Sequence, residues 1–163
     1  MKEPIMCPHC GKELPANYMV MKSYWVPLRP GIIRALIKFR AAVVANNRNS
    51  IHLLKDMSGT RNELTRHEWN NFSRLRFHAM VAKVREEGLH KSGYWLLTKR
   101  GASFLKGEIA VPAKVLICRN EVIDHDFNHL VDVRDVMGFR PAFETIDDIE
   151  YEIVTPEQAE LQL

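Results

Sequence analysis

Cysteine is scarce in this chain: three residues in 163, too few for a disulfide framework. Long apolar runs are missing as well. The longest, such as Ile109 to Ala113 and Ala41 to Ala45, fall far short of the roughly 20 residues that a membrane-spanning helix needs. The first residues, Met1 to Cys7, lack the apolar stretch of about 7–15 residues that a secretory signal carries. A reducing cytoplasm is the expected location. With eight glycines and eight prolines, the composition is neither collagenous nor of low complexity, and no internal repeat is visible. A Walker phosphate loop, a dinucleotide-binding glycine fingerprint and a Gly-x-Ser-x-Gly elbow are all missing, so none of those enzyme classes has its motif here. What is present, 46% apolar and 26% charged residues, describes a soluble chain with enough apolar material for one good core or two small ones.

The net charge of +3 conceals a strong asymmetry. Residues 1–119 hold 21 Lys/Arg against 8 Asp/Glu, a balance of +13, whereas residues 120–163 hold 2 against 12, a balance of −10. The positive field over the larger part favours polyanions, because each Lys or Arg set against a phosphate releases condensed counterions. The acidic end then serves as an intramolecular mask, a protein-facing surface or a solubiliser.

Four stretches separate by composition. Residues 1–27 contain Cys7-Pro8-His9-Cys10-Gly11-Lys12, followed by extended-looking sequence at Tyr18 to Met21 and Tyr24 to Val26. Pro30-Gly31 opens a helix running to about Ala45, with Ile32, Leu36, Phe39 and Val43 on one face and Ile33, Ile37 and Val44 beside it, a stripe wide enough for burial on two sides. Asn46 to Ser50 ends it. A short strand-like piece, Ile51 to Leu54, leads through Lys55 to Gly59, where the glycine suits a helix-to-helix turn. Thr65 to Glu68 then forms a capping box. The helix expected from Arg66 to about His78 has Trp69, Phe72 and Leu75 as its apolar stripe, with His67, Asn70, Asn71, Arg74 and His78 opposite. Arg76 lies toward the apolar side, against the pattern. Val81 to Val84 reads as a strand, Arg85 to Gly93 as a hairpin tip and Tyr94 to Leu97 as the returning strand. Thr98 caps a helix from Lys99 to Lys106 that stops at Gly107. Beyond it, Val115 to Cys118, a turn at Arg119-Asn120 and Glu121 to Ile123 form a hairpin. A short helix is expected within Leu130 to Gly138, and Thr155 to Gln158 is one more cap signature.

Helix, short strand, helix, turn, helix, hairpin is the grammar of a winged helix-turn-helix domain. The run from Tyr94 to Leu105 resembles the aromatic-x-Leu-Thr-x-x-Gly-x-x-x-Leu signature that closes the wing in MarR-like and related regulators. The resemblance covers about residues 30–106, and the flanks are similar to uncharacterised phage and mobile-element proteins that join a Cys-x-x-Cys-Gly knuckle to such a domain. It implies DNA binding, with the second helix of the pair in the major groove and the wing on the backbone or minor groove. Carried onto this chain, it makes Arg66, His67, Asn70, Asn71, Arg74 and His78 the groove-facing candidates, with Arg74 and Asn70 foremost. Arginine pairs bidentately with guanine and asparagine with adenine. The wing offers Arg85, His90 and Lys91, with Ser92 and Gly93 allowing close backbone approach to phosphate, although Glu86 and Glu87 would repel it. Trp69, Phe72, Leu75 and Trp95 read as core.

Cys7 and Cys10 are half of a zinc site, since their spacing lets both thiolates reach one ion. Completion is expected from His125 and His129, whose spacing suits a metal-binding pair, or from the same cysteines of a second subunit; the alternative is a decayed ribbon holding two free thiols. Cys118 reads as a small buried hydrophobe. The segment Val122 to His129 superficially resembles the Asp-His-x-x-x-His core of ββα-metal nucleases, but the second cysteine pair of those enzymes is missing and the segment is acidic.

The resulting expectation is an α+β protein with three parts: a zinc-knuckle-like arm at 1–27, a winged helix-turn-helix domain at 28–112, and a hairpin with an acidic extension at 113–163. It would bind double-stranded DNA as a regulator acting by occupancy rather than catalysis, with structural zinc. It would also form a homodimer through the apolar first helix or the C-terminal hairpin. The alternative is a protein-interaction module, a phage-encoded inhibitor or assembly factor that grips a host protein, with the acidic region as the contact.

Overall fold

A computed structural model describes Met6, Cys7 and residues 9–13, 23–86 and 89–142, with the backbone alone at 85, 86 and 89–92. The extended stretch expected at Tyr18 to Met21 and the cap signature at Thr155 lie outside the described residues, as does the acidic sequence from 143 onward. Among the described residues the fold is α+β, with three small antiparallel sheets, one 17-residue helix and several short ones.

The core is organised around α1 (Pro30–Asn46). Pro30 sits at its first positions, where a missing N–H costs nothing. Asn47 closes it in the left-handed conformation (φ 50°), donating its N–H to the Val43 and Val44 carbonyls. Both halves of the wide apolar stripe are used: Ile32, Ile33, Leu36, Phe39 and Val43 are buried, and Ile37 packs against the same cluster. The helix expected to offer an apolar dimer face therefore spends that face inside its own chain. Fully burying one such side chain contributes about 1.5–3 kcal/mol, which makes α1 the element on which the others depend.

Three strands form the first sheet: β2 (Ile51–His52), β3 (Val81–Glu86) and β4 (Leu89–Leu97), in the order β2-β4-β3. The β3–β4 strands run further than the sequence suggests, since Arg85 pairs with His90 and Glu86 with Leu89 where a loose tip is expected. The Phe72 ring links this sheet to α1, 5.2 Å from Trp95 and 5.3 Å from Phe39.

Between β2 and the next helix the expected first member of a helix pair is not formed. Residues 53–62 are a run of turns, pinned by local side-chain bonds. His52 Nδ1 accepts from the Leu54 and Lys55 amides at 3.1 and 3.0 Å, and Asp56 accepts from the His52 amide at 2.8 Å. Arg48 clasps the same carboxylate at 2.6 Å. The Asp56 and Ser58 amides donate to the His52 and Leu54 carbonyls at 2.9 and 3.1 Å, and Leu53, Met57 and Leu64 anchor the segment in the core.

The second sheet joins what the sequence separates. β1 (Tyr24–Pro27) pairs with β6 (Lys114–Cys118), which pairs with β7 (Glu121–His125). The strand before α1 and the hairpin near the end of the described chain are thus one structure. Arg119 and Asn120 both take positive φ (54° and 61°), the pair of conformations a tight hairpin turn demands. β5 (Val111–Pro112) pairs with β8 (Leu130–Val131), and the expected 130–138 helix is shortened to α5 (Val133–Met137), ended by Gly138 at φ 81°. Val133 is buried in the cluster around α1.

Candidate nucleic-acid interface

The helix read from Arg66 to His78 is built as α2 (Arg66–Asn71) and α3 (Arg74–Phe77). Thr65 caps α2 with the reciprocal pair the sequence specifies: Thr65 Oγ1 accepts from the Glu68 amide at 3.2 Å, and Glu68 Oε1 accepts from the Thr65 amide at 3.0 Å. Glu68 does more than cap. It is buried, and Lys38 of α1 donates to the same oxygen at 2.5 Å and to the Glu63 carbonyl at 3.2 Å. Burial alone would raise the Glu68 pKa; the Lys38 ammonium and the Thr65 donors outweigh it and hold the carboxyl below the usual range. This ion pair and the Phe39–Phe72 contact fix α2 against α1.

The buried axis of the helix runs through Glu68, Phe72 and Leu75, at i, i+4 and i+7. Trp69 lies about 90° from that axis and is 44% exposed, so it is not the core residue its hydrophobicity suggests. It was displaced by a carboxylate whose compensating charge is thirty positions away and invisible to periodicity. Arg76 is half-buried, its guanidinium 5.1 Å from the Phe77 ring.

Of the groove-facing candidates, Arg66, His67, Asn70 and Arg74 are exposed. Asn71 is half-buried and donates to the His67 carbonyl at 2.8 Å. His78 does not belong to this face: it is 4% exposed, at the end of α3, where Arg100 Nε donates to its carbonyl at 3.2 Å. Burial, with Arg100 and His125 nearby, lowers its pKa to about 3 against a hydrogen bond to the Val26 backbone. Helical spacing put His78 outward, but the helix stops there and the neighbouring chain covers it.

The start of α1 adjoins the exposed face. A side-chain carbon at Gly31 would lie 3.6 Å from both the His67 ring and the Arg34 guanidinium, so Arg34 and His67 belong to one surface; Arg29, also exposed, stands two residues earlier in the chain. In the wing, the side chains of Arg85, His90 and Lys91 lie outside the described residues. Gly93, at φ 81°, has a reason other than phosphate approach: a side-chain carbon there would come within 2.6 Å of the His52 ring.

The aromatic-x-Leu-Thr-x-x-Gly signature is likewise structural. Thr98 caps α4 (Lys99–Leu105) by accepting from the Gly101 amide at 3.0 Å, and its hydroxyl donates to the Ala79 carbonyl at 2.7 Å. Gly101 faces the Met80 carbonyl so closely that a side-chain carbon would stand 2.3 Å from the oxygen.

The histidines assigned to the zinc are placed elsewhere. His125 is half-buried and stacks on Phe127 at 5.2 Å, and the exposed His129 has its carbonyl bonded to the Ala113 amide at 2.8 Å. Among the described residues no three His, Cys, Asp or Glu side chains form a ready metal cage. What lies beside Cys7 is Cys118, with the sulfurs 3.9 Å apart. The Cys7 thiol is lowered to about 7, first by the Cys10 amide, then by the His9 amide and the Cys10 side chain, which together outweigh burial. Burial and the adjoining Cys7 push Cys118 up. Sequence reading missed this neighbour because a single cysteine in a strand carries no spacing signal.

Beside α2, Trp69, Leu54, Tyr94, Trp95 and Lys83 line a cleft of about 410 Å³. No helix among the described residues is long and apolar enough to cross a membrane. No protein-family model, curated protein or solved structure matches this chain.

Proposed function

We propose that the chain is a winged-helix DNA-binding protein that acts by occupancy, laying α2 and α3 in the major groove. The observation that carries the reading is the exposed face of Arg66, His67, Asn70 and Arg74 on a helix whose opposite face is held to α1 by the Lys38–Glu68 pair and Phe72. Rigid support matters because a base-reading side chain must keep its register against the duplex. The sheet order β2-β4-β3, with the β3–β4 ribbon after the helix, agrees with that architecture, although turns stand where the first helix of the pair is usual. Arg29, Arg34 and Arg66 supply backbone contacts, and Arg74 and Asn70 read base edges.

The test is titration with random-sequence duplex DNA over a salt series, followed by titration of a duplex selected from a random pool. The expected result is a linear fall of log affinity with log salt. Arg66→Ala flattens the slope by about 0.9 on all sequences. Arg74→Ala costs about 1–3 kcal/mol, chiefly on the selected site. A flat salt response in the intact protein overturns the proposal.

One observation favours a second reading, that of a protein-interaction module. Trp69 and Leu54 are 44% and 57% exposed beside the aromatic cleft, an apolar surface that DNA readout does not require. On that reading Trp69→Ala abolishes partner capture and leaves duplex binding unchanged.

A further inference from the structure

We infer that Cys7, Cys10 and Cys118 together hold one zinc ion, fastening the knuckle to the turn of the β6–β7 hairpin. Two sulfurs, each about 2.3 Å from a tetrahedral zinc, stand about 3.8 Å apart. The Cys7 and Cys118 sulfurs are 3.9 Å apart, close to that edge and nearly twice the roughly 2.05 Å of a disulfide.

The backbone of the knuckle is already folded as a thiolate site requires. The Cys7 carbonyl accepts from the Gly11 amide at 2.9 Å, the Cys7 amide donates to the Lys12 carbonyl at 2.9 Å, and Met6 bridges Glu13 beneath them. Gly11 takes φ 69°, the left-handed turn for which a glycine is needed. On the other side Cys118 ends β6, packed with Cys7 and Ile123.

Cys10, three residues on in the same knuckle turn, is the exposed member and supplies the third thiolate. As three zinc–sulfur bonds form, three thiol protons pass to the buffer and the centre acquires a net charge of −1. Arg119, the residue after Cys118 at the hairpin turn, carries a compensating positive charge. The three ligands use all the cysteines of the chain, so the fourth position is left to a histidine, a carboxylate or water.

The test uses the full chain, reduced and reloaded with Zn²⁺ or Co²⁺ alone. The expected result is one equivalent of zinc, a cobalt spectrum with three thiolate charge-transfer contributions, and joint protection of all three thiols from alkylation until a chelator is added. Cys118→Ala should lower zinc affinity at least tenfold and remove one thiolate contribution, with chelator no longer shifting Tm. The alkylation pattern needs no variant and so holds even if that variant unfolds. Retention of one zinc with an unchanged cobalt spectrum in Cys118→Ala overturns the ligand set. A metal-free protein in which Cys7 and Cys118 join as a disulfide overturns the site itself. Neither outcome depends on DNA binding.

Discussion

Gly101→Ala is expected to lower the free energy of unfolding by about 3 kcal/mol, measured as a drop in the urea midpoint at pH 7.5. Two effects compete. Alanine is the better helix former by about 1 kcal/mol, and Gly101 has no positive φ to protect, so in an open helix the change would stabilise. Here the new carbon would stand 2.3 Å from the Met80 carbonyl oxygen, a backbone atom with no rotamer to yield. Either α4 or the start of β3 must move. Movement breaks the Thr98–Ala79 and Thr98–Gly101 bonds, each worth about 1 kcal/mol, and loosens Phe104 and Leu105, which are fully buried. Steric cost wins. A variant within 1 kcal/mol of the parent would show that the helix and strand do not approach as described.

Acid should act through His78 before any carboxylate. Its pKa is about 3 in the folded chain against about 6.5 when exposed, so below pH 6.5 the unfolded chain takes up a proton that the folded chain refuses. The sign is destabilising as pH falls: the contribution is fully present above pH 6.5 and is lost toward pH 3. At about 1.36 kcal/mol per pH unit, the loss reaches roughly 2 kcal/mol by pH 5. Asp56 and Glu68, both held below their ordinary values, lose their contributions only at lower pH, as the solution passes through the carboxylate range. Unfolding free energies at pH 7.5, 6 and 5 isolate the histidine. His78→Gln, which keeps a polar group for the Val26 backbone, should flatten the slope between pH 6.5 and 5. An unchanged slope in that variant would assign the acid sensitivity elsewhere.

What was legible in the sequence was local. The Thr65–Glu68 capping box, the Thr98 cap, the Pro30 start of α1 and the Arg119-Asn120 turn each depend on residues within a few positions of one another, and each is found. What was illegible was decided at a distance. Glu68 is buried because Lys38 reaches it from another helix, and Trp69 is exposed as a result of that choice of face. Cys118 meets Cys7 across 111 positions of chain. His78 is covered because α3 ends beside the sheet that carries Val26. The helix that the order of elements implied before the Gly59 turn is replaced by a run of turns over 53–62. Four of the six groove-facing residues remain together because an exposed helix face needs nothing from the rest of the chain except not to be covered.

The pairing of β1 with β6 has a consequence for how the molecule is made. Trp25 faces Leu116, 91 residues later, so a ribosome adding about 5–20 residues per second leaves the early strand without its neighbour for on the order of ten seconds. During that interval α1 and the β2-β4-β3 sheet can already condense, while β1 waits with its backbone edge unpaired and Val26, buried against Val115 and Ile117 in the finished fold, uncovered. Self-association of nascent chains is therefore most dangerous just before Lys114 emerges, and slowing translation there would cost yield rather than improve it.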